Sequence, residues 1–111
     1  MTTEARKRLH DIRLAAGALC RFMDGKSVED FKADEMLQAA VERKLAIIGE
    51  AFVHLSEEDA AIAGMFTDLR KIVGMRNRLV HGYDQLDLDV VWDVTLKHVP
   101  KLLAQVESIL K

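Results

Sequence analysis

Leu37-Gln38-Ala39-Ala40-Val41-Glu42-Arg43-Lys44-Leu45-Ala46-Ile47-Ile48-Gly49-Glu50-Ala51-Phe52-Val53-His54-Leu55 reads as one long helix, and the rest of the chain can be placed outward from it. Leu37, Val41, Leu45, Ile48, Phe52 and Leu55 recur at steps of four and three, the spacing of a single apolar stripe on an α-helix, so the pattern predicts a helix over about 34–55. Arg43, Ile47, Glu50 and His54 fall on a different face of it. Upstream, Thr3 reads as the N-cap of a first helix that reaches about Met23, with Leu9, Ile12, Ala16, Leu19 and Met23 as its stripe and Asp24-Gly25 as its end. His10 is a surface or boundary residue of that helix. Between the two, Ser27 followed by Glu29 and Asp30 is the signature of an N-cap with acids in the first turn, a short helical turn before the long helix.

Downstream, Ser56-Glu57-Glu58-Asp59 reads as a cap opening a short helix over 59–63 that Gly64 closes. Thr67-Asp68 caps the next helix, which ends near Val80 or His81 because Gly82 suits the left-handed turn after a helix. Asp87 or Asp89 starts the last helix, with Trp92, Leu96, Val99, Leu103, Val106 and Leu110 as its stripe. Pro100 removes a backbone donor inside it, which predicts a kink between Leu96 and Pro100 with helix on both sides. No segment alternates with period two, and there is no repeat or low-complexity tract. The expected fold is an all-α up-and-down bundle of four to five helices in one domain, residues 1–111, small enough to favour pairing with a second copy.

The chain has 111 residues, half of them hydrophobic, with one proline and six glycines, which suits a helix-rich core and argues against disorder beyond the termini. Cys20 is the single cysteine; it has no partner for a disulfide and no companion at metal-ligand spacing, so it reads as a small buried hydrophobe in a reducing compartment. No apolar run is long enough to span a bilayer and no leader pattern opens the chain, so a cytoplasmic protein is expected. A formal net charge of −2 argues against a protein that grips nucleic acid over its whole surface. The distribution is sharper: from Leu69 to Tyr83 there is no carboxylate, while Arg70, Lys71, Arg76 and Arg78 all fall there, leaving the rest of the chain at −6. That pattern is either a solvated helix face or a local site for phosphate.

Within that stretch, Gly74-Met75-Arg76-Asn77-Arg78-Leu79-Val80-His81-Gly82-Tyr83 gathers two arginines, an amide, a histidine and a tyrosine. Leu69, Ile72, Arg76 and Leu79 are spaced by three and four, so Arg76 occupies an apolar stripe and its guanidinium needs a partner. Read structurally, an arginine and a histidine near a helix C-terminus simply complement its dipole. Read chemically, histidine moves protons near neutral pH and arginine stabilises charge developing on a phosphoryl group. That pairing suits RNA cleavage, in which a deprotonated 2′-hydroxyl attacks the adjacent phosphorus and the 5′-oxygen leaves with a proton. His10, His54, His81 and His98 match no zinc spacing and no carboxylate pair suits magnesium, so neither a metal nor a cofactor is expected; His98 reads as structural.

The spacing Arg76, four residues, His81, one residue, Tyr83 resembles the R-x4-H-x-Y signature of HEPN-domain proteins and of the HepT toxin family in particular. Ala40 to Ala51 resembles that family's second-helix segment, and Val90-Val91-Trp92 and Pro100 also match it, so the likeness runs from Leu37 to the end. One departure is Met65-Phe66-Thr67, where the family usually has a proline and a tryptophan. The resemblance implies a toxin of a toxin–antitoxin pair, a metal-independent RNA endonuclease in which two copies set their motifs face to face. In that composite site Arg76 binds phosphate, His81 transfers protons, and Asn77, Arg78 and Glu50 support them. Glu50 either fixes the Arg76 guanidinium or makes an i,i+4 contact with His54. It also implies a nucleotidyltransferase antitoxin of the MntA type that transfers AMP to Tyr83. The alternative within the same superfamily is a non-catalytic HEPN adjunct that binds RNA, a nucleotide or a nucleotidyltransferase partner.

Overall fold

The computed structural model describes residues 1–66, 68–80 and 87–111, with the side chains of Leu69, Arg76, Leu79 and Val80 outside that description. Among the described residues the chain forms α1 (Thr3–Met23), α2 (Val28–Ala33), α3 (Glu35–Glu58), α4 (Ala60–Ala63), α5 (Leu69–Val80) and α6 (Leu88–Leu110), with no strand. Four long helices make the all-α bundle the sequence implies, and α2 and α4 are short connectors.

α3 is the helix the others pack on. It lies against α1 along one side and α5 along another, while α6 packs mainly on α1. Val41, Leu45, Ile48, Phe52 and Leu55 are all fully buried on α3, meeting Leu9, Ile12, Ala16 and Leu19 of α1 in one core. Each of these side chains larger than alanine contributes about 1.5–3 kcal/mol on removal from water, before entropy is counted. An Arg8 fork to Glu58, with Nη2 at 3.1 Å and Nε at 3.3 Å from Oε1, clips α1 to the last turn of α3.

Two boundaries and one helix face differ from the sequence reading, each for a local reason. Thr2, not Thr3, caps α1, because its hydroxyl accepts the Ala5 N–H at 3.0 Å. α3 runs one turn further than expected, to Glu58: the Ser56 hydroxyl donates to the Phe52 carbonyl at 2.9 Å instead of capping, and Asp59 caps α4 by accepting from the Ile62 N–H at 3.1 Å. On α6 the inner stripe is Val91, Trp92, Thr95, Val99, Leu102 and Val106, and Leu96 is 56% exposed. Thr95 takes the place assigned to Leu96 because its hydroxyl donates to the Val91 carbonyl at 2.7 Å, leaving no unpaired polar group inside.

The turns follow from their residues. Ser27 and Asp30 form a reciprocal capping box at 2.9 and 3.1 Å and start α2, whose Phe31 is buried against Trp92 of α6 with ring centres 5.2 Å apart. After α1, Asp24 at φ −59°, ψ 125° and Gly25 at φ +73°, closed by a Lys26 N–H to Met23 carbonyl bond, make a type II turn that only glycine fills without strain. α6 stays helical on both sides of Pro100, whose missing N–H leaves the Leu96 carbonyl without its helical donor, and both residues are exposed.

Candidate active site

α5 has its apolar residues on one side and its charges on the other. Ile72 and Met75 are buried in the core, whereas Arg70, Lys71, Gly74, Asn77 and Arg78 are exposed. α5 is described from Leu69 to Val80, and the backbone of Arg76 lies within the last turn and a half of that span. The Arg76 side chain, His81, Gly82 and Tyr83 lie outside the described residues, as does the Thr67 half of the expected cap.

Two contacts fix where α5 begins. Phe66, 6% exposed, meets Phe52 of α3 edge-on with centres 5.0 Å apart, so a phenylalanine supplies the aromatic anchor at the place where the sequence departs from the family pattern. Asp68, just before α5, has Oδ1 3.1 Å from Nδ1 of His98 on α6, both side chains largely buried. The two atoms are close but not aligned as a hydrogen bond, and Asp68 Oδ2 has no hydrogen-bond partner among the described residues. His98 thus packs from α6 against the residue that precedes α5.

Glu50 makes the contact with His54: its Oε1 is 3.9 Å from Nε2, and His54 Nδ1 is 4.0 Å from Glu57. Glu50 and His54 line a groove between α1 and α3 with Arg8, Asp11, Ile47 and Ala51. Pairing of Glu50 with Arg76 involves a side chain outside the described residues. A second acid on α3 escaped the sequence reading. Glu42 is half-buried, and burial pushes its carboxyl above the ordinary value. The only sequence signal was its position seven residues before Gly49, itself buried on α3. Cys20 is half-buried rather than fully buried, and burial raises its thiol, which keeps it protonated and unreactive. Among the described residues no three His, Cys, Asp or Glu side chains gather as a metal site, and no helix is long and apolar enough to cross a membrane.

An all-α bundle whose acid-free helix carries exposed cations and runs into Arg-x4-His-x-Tyr is a HEPN-type domain. The chain belongs to the HepT-like ribonuclease family, whose model matches residues 12–109. Similar proteins include one with a provisional RNase name from Caldanaerobacter subterraneus subsp. tengcongensis, 36% identical over 83% of this chain and 85% of that one. A probable ribonuclease HepT from Thermococcus cleftensis is 31% identical over 93% of each chain. A protein of Methanocaldococcus jannaschii, also provisionally named an RNase, is 30% identical over 91% of this chain and 92% of that one. No solved structure matches the chain. Membership of this family makes a HEPN-type ribonuclease the class of activity assigned to the fold.

Proposed function

We propose that the protein is the toxin of a toxin–antitoxin pair and cuts RNA internally without a metal, at a site completed by a second copy of the chain. The observation that carries this reading is the match to the HepT-like ribonuclease family over residues 12–109 together with an intact Arg76-x4-His81-x-Tyr83. Cleavage by 2′-hydroxyl attack needs a base for that hydroxyl and an acid for the leaving 5′-oxygen. One chain offers one His81, and a two-fold axis supplies the other. Arg76 holds the phosphate and stabilises its transition-state charge; Asn77 donates hydrogen bonds to the RNA backbone or to His81, Arg78 adds positive charge, and Glu50 steadies Arg76. No cofactor takes part.

Control is assigned to Tyr83. A nucleotidyltransferase partner of the MntA type places AMP on its phenol, and the added bulk and negative charge compete with RNA for Arg76. The test is cleavage of a mixed RNA in EDTA by the wild type and by His81→Ala, with analysis of product ends. Activity lost in the variant, with 2′,3′-cyclic phosphate ends from the wild type, is the expected result. Cutting by both proteins removes His81 from the mechanism. An inactive wild type that carries no AMP on Tyr83, judged by intact mass, overturns the nuclease reading in favour of the non-catalytic adjunct.

A further inference from the structure

We infer that the exposed face of α5 is a track for the RNA strand flanking the scissile phosphate, with Arg70, Lys71 and Arg78 contacting its phosphates; this rests on the ribonuclease reading above. At 100° per residue, Gly74 stands at the middle of the exposed arc of α5, and Arg70, Lys71, Asn77 and Arg78 all fall within about 60° of it. The backbone position of Arg76 is about 160° from Gly74, on the other side of the helix. The exposed cations are thus a set distinct from the arginine of the motif. They run from Arg78, near the C-terminal end of α5, back to Arg70, a rise of about 12 Å.

Three observations make this face suited to a polyanion. Neither Arg70, Lys71 nor Arg78 has an ion-pair partner among the described residues, whereas Arg8, Lys32 and Lys97 are each paired with an acid. The nearest acid in sequence to Arg70 and Lys71 is Asp68, which lies 3.1 Å from His98 of α6 with its side chain only 19% exposed. In the centre of the arc, a methyl group placed on Gly74 would meet no atom within 4 Å, so a strand can lie close to the helix between the flanking cations. The remainder of the chain is net negative, which directs an RNA strand to this face and away from the rest of the surface.

The test uses the full-length protein and a 2′-O-methyl RNA of about ten nucleotides, a probe that cannot be cut, with affinity followed by fluorescence anisotropy from about 50 to about 200 mM salt. Replacing Arg70 and Lys71 together by glutamine should weaken binding at low salt. It should also lower the salt slope by about 1.4, which is about a sevenfold smaller loss of affinity across that range. Replacing Lys97 and Lys101 by glutamine removes the same charge from α6 and should leave affinity unchanged. The charge-keeping pair Arg70→Lys with Lys71→Arg should bind as the wild type does, which separates charge from helix damage. Equal losses from both glutamine pairs, or failure of the charge-keeping pair to bind, overturn the track. Unchanged affinity in Arg70→Gln with Lys71→Gln also overturns it and leaves the face to an acidic protein partner. A wild type that binds through this face and never cuts RNA overturns the nuclease reading alone.

Discussion

α3 and α5 lie side by side, yet the sequence uses them in opposite ways. α3 buries an unbroken row of five residues, Val41, Leu45, Ile48, Phe52 and Leu55, none with any exposed surface. α5 commits Ile72 and Met75 to the core and presents Arg70, Lys71, Gly74, Asn77 and Arg78 to solvent. One helix holds the bundle together and its neighbour presents charge on it. On the proposed function, stability and activity can be perturbed separately, because they fall to different helices.

The largest effect should come from breaking the α3 side. Phe52→Ala removes a ring that touches Phe66 and fills the core, and should cost about 3–5 kcal/mol. That is a large part of the stability of a domain this size, so the urea midpoint should fall steeply and any nuclease activity should go with the folded fraction. A loss of unfolding free energy below about 1 kcal/mol would remove α3 from its place as the central packing element. The converse is His81→Ala, which should lower RNA cleavage by about 100-fold or more while leaving the urea midpoint unchanged. If that variant unfolded as readily as Phe52→Ala, the separation of roles between the helices would be lost.

How far these roles could be read from the sequence depended on whether local spacing decided them. The stripes of α1 and α3 were legible because apolar residues alone satisfy a buried helix face, and Leu9, Ile12, Leu45 and Phe52 are where the spacing places them. The α6 stripe was misread at Leu96, because Thr95 looks polar and only its hydroxyl bond to the Val91 carbonyl makes it an interior residue, and at Leu103, which is partly buried where Leu102 is fully so. Ser56 and Asp59 are both competent caps; the Ser56 hydroxyl is bonded to the Phe52 carbonyl, and Asp59 takes the Ile62 N–H. Of the candidate site, Arg76, His81 and Tyr83 were visible as a motif, and the cations of α5 as a run without acids. That Gly74 sits in the open centre of the exposed face, and that Asp68 is held by His98, are facts of packing that no spacing encodes.

Gly74 sharpens the comparison at a smaller scale. It is a glycine inside a helix, with open space around it and no positive φ, so nothing in the fold requires it. Gly74→Ala should therefore stabilise the protein by about 0.5–1 kcal/mol through reduced backbone entropy in the unfolded chain. If α5 is a surface for RNA, the same methyl group should weaken RNA binding severalfold while the melting temperature rises. A variant more stable and equally good at binding RNA would reduce Gly74 to a neutral position on a solvated face.

The smallest expected effect concerns the acids of α3, where burial rather than pairing separates Glu42 from Glu50. Glu50 is exposed beside His54, whereas Glu42 is half-buried and its carboxyl is pushed up by desolvation. Raising a carboxyl in the folded state means that the folded protein binds a proton more readily than the unfolded chain, so ionised Glu42 opposes folding. That cost is absent below the ordinary glutamate value of 4.5, where both states are protonated, and is complete once pH has risen through the raised value. Glu42→Gln should accordingly stabilise the protein slightly at pH 7, within about 0.5 kcal/mol, since the side chain keeps much of its hydration. The gain should fade as pH is lowered through the carboxylate range. Destabilisation by Glu42→Gln at pH 7 would mean that ionised Glu42 is compensated by a positive charge. A cation on the neighbouring α5, or one contributed by a second copy of the chain, would then have to face it.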